Sequence, residues 1–570
     1  MIQKYQPGPG ALHWEKIAEL KRTERDTAVR SYLPDSDAHP SESEDQNDVS
    51  TTPDIEELVS RLSRGEITAE AVTIRHIKRI AKAQQQTNCL TEVLFSDALD
   101  QARALDDHFK ATGELIGPFH GVPVTLKDQF NVKGYDTTLG YCGRAFNPAE
   151  NDAQVVEVLK KLGAVILAKT NLPQSIMWCE TENPLFGLTT NPRNPDFTPG
   201  GSTGGEACVL VLGGSLLGWG TDIGGSIRIP SHMNGLYGLK PTSSRLSYSG
   251  VPVSTEGQQH VPSAIGPMTR SLSSLITTTK AVIDARPWTV DPAVTPIAWD
   301  KDMFADAQSR PLTIGVMYDD GVVKVHPPIE RVLYQMTERL KAAGHEVVNW
   351  NPSLHADCIK VMDQYYNADG CEDIRRDIEA AGEPMIPHVE ALVNRAPAIS
   401  VYEYWQLNKQ KIALQKAYYE KWNAFVAPSG RKVDVLLTPT MPHTALPHKG
   451  CRWVGYTKVW NFLDYPAVVF PAGAADKELD GLLDPSHVPR NDADAWNWSR
   501  YDAESMHKHP VGLQIVARRF EEERVLGVAR VCERLLQQAS SKPHGEDEKI
   551  RPDWTVLLGQ GMTGGMLNGQ

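Results

Sequence analysis

Two glycine-rich segments, each carrying a serine, constrain this 570-residue chain more than any other feature. The first runs from Pro199 to Glu206 as PGGSTGGE, and the second from Gly220 to Pro230 as GTDIGGSIRIP. Glycine loses more backbone freedom on folding than other residues, so this density indicates conformations or close approaches that side chains would block. Taken singly, each loop would be an ordinary tight turn. Two such loops joined by the apolar run 207–220 favour a binding or catalytic site instead.

A glycine-rich turn that leads into a helix directs several backbone N–H groups at one point, where the helix dipole favours negative charge. Two ligands would use such a point: a phosphate group, or the oxyanion of a tetrahedral acyl intermediate. A phosphate loop needs a lysine directly after its final glycine, and neither segment has one. Gly218 and Gly220 also lack the third glycine of a dinucleotide fingerprint. The pattern therefore favours the oxyanion.

Together with other segments, these loops resemble the amidase signature family. Gly121–Asp128 reads GVPVTLKD and is similar to the family's lysine-bearing strand, while Tyr237–Thr242 reads YGLKPT. The likeness to fungal acetamidases and general amidases extends to further segments, at 169–174, 191–194, 368–370, 437–440, 461–464 and 510–516. It covers roughly residues 52–535.

The resemblance implies a catalytic set of Lys127, Ser202 and Ser226. In the family, the serine that corresponds to Ser226 is the nucleophile, and a bridging serine in a cis peptide passes its proton to an unprotonated lysine. Ser226 is not in the Gly-x-Ser-x-Gly turn of a Ser–His–Asp hydrolase. Lys127 ends the apolar run 122–126, and burial there would lower its pKa towards the neutral form.

The substrate-binding residues follow from the same resemblance. We expect the backbone N–H groups of the second loop to form an oxyanion hole, and Ser202 to lie beside the substrate. The expected set is Ser202, Ile223, Gly224, Gly225 and Ser226.

Other side chains carry weaker expectations. Asp222 and Arg228 flank the nucleophile, and we favour a role in holding its loop over an ordinary ion pair. Residues 176–178 follow a segment that borders the acyl pocket in relatives. For the aromatic residues Trp453 and Trp460, we favour core packing over a pocket.

Short apolar runs alternate with helical patterns and predict an α/β fold, a mixed twisted β-sheet covered by helices on both faces. Predicted strands lie at 122–126, 164–168, 216–221, 312–316, 433–437, 467–470 and 512–516. We expect a helical arm and acidic linker over 1–50, with Thr52 and Pro53 opening the next helix. A single amidase signature domain follows over 51–545, with its catalytic core at 115–245 and a helical, cap-like region at about 355–425. A C-terminal tail occupies 546–570.

Composition excludes several classes of protein. The formal net charge of −13, with scattered basic residues, argues against nucleic-acid binding. The eight cysteines form no C-x-x-C pair, so neither a metal site nor a disulfide framework is expected, and no cofactor is implied. No secretory signal or membrane-spanning run is visible, which makes the cytoplasm the default location. The oligomeric state is open, with a homodimer as one option.

Four functions fit these residues to different degrees. The first is an amidohydrolase that converts a small-molecule amide to carboxylate and ammonia through an acyl-enzyme. The second is a biosynthetic acyltransferase in which an amine or alcohol replaces water at the same acyl-enzyme. A glutamine-amidase subunit would predict a stable partner, and the likeness to stand-alone fungal amidases weighs against it. The joint presence of both serines and the lysine argues against a binding protein without activity.

Overall fold

The fold is described from a computed structural model, which covers residues 13–33 and 54–540. The acidic linker expected at 34–50, residues Thr52 and Pro53, and the tail at 546–570 lie outside the described residues.

A mixed β-sheet of 11 strands forms the centre of the described region, in the order β1-β3-β2-β6-β8-β7-β12-β13-β11-β9-β10. Parallel pairs near the two ends (β3–β2–β6 and β11–β9–β10) flank an antiparallel middle. The strands are β1 (Leu90–Val93), β2 (Pro123–Lys127), β3 (Val165–Thr170), β4 (Glu182–Asn183), β5 (Gly187–Leu188), β6 (Leu217–Asp222), β7 (Tyr237–Lys240), β8 (Ala264–Thr269), β9 (Thr313–Val316), β10 (Glu346–Asn349), β11 (Val435–Pro439), β12 (Ala467–Ala474) and β13 (Pro510–Val516), of which β4 and β5 form a separate hairpin.

Helices surround this sheet. They are α1 (Trp14–Arg30), α2 (Ile55–Ser63), α3 (Ala69–Thr87), α4 (Phe95–Thr112), α5 (Gln154–Lys161), α6 (Gly204–Val211), α7 (Arg228–Asn234), α8 (Leu272–Asp284), α9 (Lys301–Ser309), α10 (Pro327–Ala342), α11 (His355–Tyr365), α12 (Glu372–Glu379), α13 (Pro387–Val393), α14 (Val401–Ala424), α15 (Gly455–Phe462), α16 (Asp492–Trp498), α17 (Ala503–Met506) and α18 (Glu522–Ser540).

Strand β13 shows that helices cover both faces of the sheet. The side chain of Gln514 accepts a hydrogen bond from Arg228 of α7 at 3.2 Å. Its neighbours Leu513 and Ile515 pack in the hydrophobic core that α10 and α18 share. Because successive side chains of a strand point to opposite faces, α7 lies on one face and the pair α10 and α18 on the other. The predicted α/β architecture is confirmed.

The predicted elements agree with the structure to within a few residues. All seven predicted strands are present. The start predicted for α2 is wrong. That helix begins at Ile55, and the Asp54 carboxylate accepts from the N–H groups of Glu56 and Glu57, so Asp54 is the capping residue.

Two helical regions lie outside the sheet. Residues 355–425 are mostly helical, as expected, and contribute four residues to the wall of a cavity at Ser226. Helix α1 lies against the body of the protein, where buried Lys21 forms ion pairs with Glu92 at 2.5 Å and Asp136 at 2.9 Å. Within the described residues, no helix combines the length and the apolar character needed to cross a membrane.

Candidate active site

Two adjacent parallel strands bring the predicted residues together. β2 and β6 pair in register, with Val124 opposite Leu217, and both are buried along their whole length. Lys127 is the last residue of β2 and Asp222 the last of β6. Because the carboxyl ends of parallel strands lie at the same edge of a sheet, the lysine and the second glycine-rich loop start side by side.

The two serine loops meet at this edge. Lys127 Nζ lies 2.7 Å from Ser202 Oγ, and the Thr203 N–H donates to the Ser226 carbonyl at 3.2 Å. The Gly201–Ser202 peptide bond is cis. Exposure falls from 9% at Ser226 to 1% at Ser202 and 0% at Lys127, so the three residues lie at increasing depth below the surface.

A chain of hydrogen bonds fixes the donors and acceptors around Lys127. Gln129 Nε2 donates to the Pro252 carbonyl at 2.7 Å, so its Oε1 is the atom that faces Thr221 at 2.7 Å. Since an amide oxygen only accepts, the Thr221 hydroxyl donates to it and accepts from Lys127 Nζ at 2.7 Å. In a neutral amine, this arrangement leaves the nitrogen lone pair available to the Ser202 hydroxyl.

Burial favours the neutral form of this amine. It lowers the pKa of Lys127 to about 7, although the nearby carboxylates of Asp222 and Asp128 oppose the shift. The Asp128 carboxylate already accepts hydrogen bonds from the backbone N–H groups of Thr138 and Leu139, at 2.9 Å each. A substantial fraction of Lys127 is therefore unprotonated at neutral pH.

Asp222 and Arg228 organise the loop that carries Ser226. The buried Asp222 carboxylate accepts from the Gly225 N–H at 2.8 Å and pairs with the Arg228 guanidinium at 2.9 Å. Asn461 Nδ2 donates to the same carboxylate at 2.9 Å, and its Oδ1 accepts from Arg228 at 2.6 Å. Burial alone would raise the pKa of Asp222, but the Arg228 charge and these hydrogen bonds hold it well below its usual value.

The prediction that the Gly225 N–H contributes to the oxyanion hole is wrong. The Gly225 N–H is already bound to Asp222, and Gly225 does not line the cavity. The N–H groups of Ile223, Gly224 and Ser226 have no acceptor within the part of the chain that the structure describes, and all three residues line the cavity. Three donors therefore remain where four were predicted.

The glycines of the two loops are needed for close contacts. Gly225 has a φ of +132°, and a Cβ there would overlap the side chain of Thr457. A Cβ on Gly205 would overlap the Asn171 backbone nitrogen. Both positions exclude any larger residue, as the glycine density of the sequence indicates.

A cavity of about 330 Å³ opens onto Ser226. Its wall includes Ile176, Met177 and Trp178, as expected from the sequence, together with Gly201. Ser202 itself is not among the lining residues, although its neighbour Gly201 is, which differs from its predicted place beside the substrate. Trp453 packs against the main hydrophobic core, as expected, and also lines the cavity, whereas Trp460 is fully buried in the core.

Several contributors to this site were not predicted from the sequence. Thr221 and Gln129 contact the lysine network, Asn461 supports the loop, and the Thr457 hydroxyl donates to the Gly224 carbonyl at 2.6 Å. Thr221 lies in the GTD motif and Asn461 in a segment with family likeness, so the sequence could have indicated both. No sequence motif pointed to Gln129 or Thr457. Within the described residues, no group of three or more His, Cys, Asp or Glu side chains is arranged to hold a metal ion.

Comparisons with known proteins identify the family of this chain. The family model described as Amidase matches residues 71–526. Amidase 1 of Gibberella moniliformis is 60% identical over 483 residues, 85% of this chain and 93% of that protein, and an acetamidase of Emericella nidulans is 41% identical over 84% and 88%. A solved structure of fatty acid amide hydrolase superposes with a TM-score of 0.81 at 30% identity, covering 94% of this chain and 91% of that one. The chain belongs to the amidase signature family and is an amidase.

Proposed function

We propose that this amidase hydrolyses carboxylic acid amides through an acyl-enzyme on Ser226, with Ser202 and Lys127 as its proton relay. The observation that carries the proposal is the 2.7 Å contact between Lys127 Nζ and Ser202 Oγ, beside a nucleophile at the cavity wall. A serine hydroxyl needs a base to attack an amide, and a lysine with a pKa of about 7 supplies one at neutral pH.

Acylation begins when Ser226 Oγ attacks the amide carbonyl carbon. The Ser226 proton passes to Ser202, and the Ser202 proton passes to the lone pair of Lys127. The carbonyl oxygen becomes an oxyanion, which the N–H groups of Ile223, Gly224 and Ser226 stabilise, each donor being worth about 3 kcal/mol.

Collapse of this intermediate needs a proton on nitrogen, because an amide anion is a very poor leaving group. Lys127 returns its proton through Ser202 to the departing nitrogen, and ammonia leaves. Water then attacks the acyl carbon and gives its proton to Lys127 through Ser202. The bond between the acyl carbon and Ser226 Oγ breaks, and the relay returns that proton to Ser226 Oγ. The products are the carboxylic acid and the free enzyme, so one amide and one water give one acid and one ammonia.

Hydrolysis is favoured over acyl transfer by the relatives, which are named amidase and acetamidase. The cavity is larger than acetamide requires, and most of its lining side chains are apolar. We therefore propose a primary amide substrate with an acyl chain longer than two carbons. The substrate of this reaction is a small molecule. The reaction involves no nucleic acid and no membrane.

The test is ammonia release from acetamide, hexanamide, benzamide and glutamine, with mass spectrometry of the enzyme during turnover. We expect an acyl adduct on the Ser226 peptide and complete loss of ammonia release in Ser226→Ala. Ser231 donates to the Ile227 carbonyl at 2.8 Å in the following helix and makes Ser231→Ala a matched control that keeps activity. Equal ammonia release from Ser226→Ala and the wild type would exclude Ser226 as the nucleophile.

A further inference from the structure

Positive charge is in excess among the residues that line the Ser226 cavity. Among the described residues, four charged side chains line it, and three of them are basic: Arg395, Arg452 and Lys458, against the single carboxylate of Asp363. The chain as a whole carries a formal net charge of −13. The side chains that line the cavity therefore carry a net positive charge, whereas the protein as a whole is negatively charged.

The acidic residue of this lining is already neutralised. Asp363 forms an ion pair with Lys458 at 2.6 Å. Within residues 13–33 and 54–540, neither Arg395 nor Arg452 has a carboxylate within ion-pair distance or a side-chain hydrogen bond. Both side chains are exposed to solvent, so each guanidinium keeps an unpaired charge at the cavity lining and can exchange water for an anionic ligand.

Arg452 is held in place without losing its charge. Its guanidinium carbon lies 3.3 Å from the centre of the Trp496 ring, and the Trp496 Nε1–H donates to the Gly450 carbonyl at 2.9 Å. Stacking of this kind orients a guanidinium while leaving its N–H donors free.

We propose that Arg395 and Arg452 bind a carboxylate at the far end of the substrate, so that the preferred substrates are monoamides of dicarboxylic acids. This inference rests on the proposed function for the position of the reacting amide. Paired, planar N–H donors match a carboxylate in geometry and in charge. The amide end then reaches Ser226, and the apolar wall of residues 176–178 contacts the chain between the two polar ends.

The experiment compares adipic acid monoamide with hexanamide, which has the same chain length but no carboxylate. We expect the monoamide to have at least a tenfold higher kcat/KM, mainly through KM, and to lose this advantage at high salt. Arg395→Gln and Arg452→Gln should each lower kcat/KM for the monoamide by about tenfold and leave hexanamide within about twofold. Arg500 also stacks on Trp496 but does not line the cavity, so Arg500→Gln is the matched control and should change neither substrate.

A binding measurement separates this inference from the proposed function. Adipate, which cannot be hydrolysed, should bind to Ser226→Ala, and either arginine substitution in that background should weaken binding about tenfold. If neither amide is hydrolysed but adipate binds in this way, the proposed reaction fails and anion recognition stands. If hexanamide is hydrolysed as well as the monoamide and adipate does not bind, the inference is overturned while the amidase mechanism remains.

Discussion

Lys127 Nζ and Ser202 Oγ lie 2.7 Å apart at a depth where neither side chain is exposed by more than 1%. At this depth a charged ammonium is disfavoured, because water cannot solvate it and the hydroxyls of Ser202 and Thr221 are neutral. The contact therefore joins an amine with a lowered pKa to a hydroxyl that can pass a proton onward. This relationship leads directly to a prediction about pH.

Activity should rise with pH through about 7. The pKa of Lys127 is lowered to about 7, so the neutral amine that accepts a proton is scarce at pH 5 and dominant at pH 8. The rate of ammonia release should follow this fraction and then level off. Lys127→Ala should lower the rate by about 10²–10⁴-fold and abolish the rise.

Lys169 supplies the control. It lies on the neighbouring strand β3, opposite Leu126, and is equally buried, but its amine donates to Thr137 at 2.8 Å and to no serine among the residues that the structure describes. Lys169→Met should lower stability and leave the shape of the pH profile unchanged. A Lys127→Ala enzyme that kept the wild-type rise in rate would show that another group is the base.

Thr221→Val should reduce the rate without unfolding the protein. Valine has nearly the same shape as threonine, but it neither accepts from Lys127 nor donates to Gln129. The lysine lone pair is then no longer directed at Ser202, so we expect kcat to fall about tenfold. The charged lysine also loses an acceptor, so the midpoint of the pH profile should move to lower pH. Thr221→Ser keeps the hydroxyl and should restore both properties; equal profiles for the valine and serine variants would contradict this role.

Lys127, Ser202 and Ser226 could be proposed from the sequence because the motifs that resemble the amidase signature family are local. Each motif spans about ten residues, and the strands that carry Lys127 and the second loop follow from short apolar runs. The adjacent parallel strands β2 and β6 then bring Lys127 and the second glycine-rich loop to the same edge of the sheet.

Residues that depend on long-range packing could not be predicted in the same way. Arg228 contacts Asn461 and Gln514, which are 233 and 286 positions further along the chain. The removal of Gly225 from the oxyanion set depends on where the Asp222 carboxylate points, and the exposure of Trp453 to the cavity depends on how α15 docks. The contacts of Arg228 and the docking of α15 join separate elements, which residue type and spacing do not reveal. Asp222 lies only three residues before Gly225, but the direction of its carboxylate is set in part by the distant Asn461.

Asp222→Asn should destabilise the protein and slow catalysis together. The substitution keeps the side-chain volume but leaves the buried Arg228 charge unpaired, an arrangement that typically destabilises a fold by about 3–5 kcal/mol. The Gly225 N–H also loses a charged acceptor, so the loop that carries Ser226 becomes less well held. Urea denaturation at pH 7 and ammonia release measure the two effects.

An exposed ion pair provides the comparison for Asp222. Asp284 pairs with Lys280 on the surface of α8, so Asp284→Asn should change stability and rate very little. If Asp222→Asn were as stable as Asp284→Asn, the buried pair would not be what holds the loop.

Glu206→Gln should fold normally, and its stability relative to the wild type should increase with pH. Glu206 is fully buried beside Thr125 and accepts from Thr170 at 2.9 Å, and burial raises its pKa to about 8. Between pH 4.5 and 8 the unfolded state ionises this group while the folded state keeps it protonated, so the unfolded state binds fewer protons and wild-type stability falls as pH rises. Glutamine mimics the protonated acid and cannot ionise. The variant should therefore gain on the wild type by up to about 1.4 kcal/mol per pH unit, measured by urea denaturation at about pH 5 and pH 8.

Glu206→Ala separates this ionisation effect from simple loss of contacts. Alanine leaves a cavity and removes the partner of Thr170, so it should destabilise by about 2–4 kcal/mol. Because alanine also cannot ionise, its deficit relative to the wild type should shrink from pH 5 to pH 8 in parallel with the gain of the glutamine variant. The contrary outcome is a glutamine variant whose stability relative to the wild type is the same at both pH values. That result would show that Glu206 is ionised in the folded protein. Thr125 and Thr170 would then bind its carboxylate and not its protonated form.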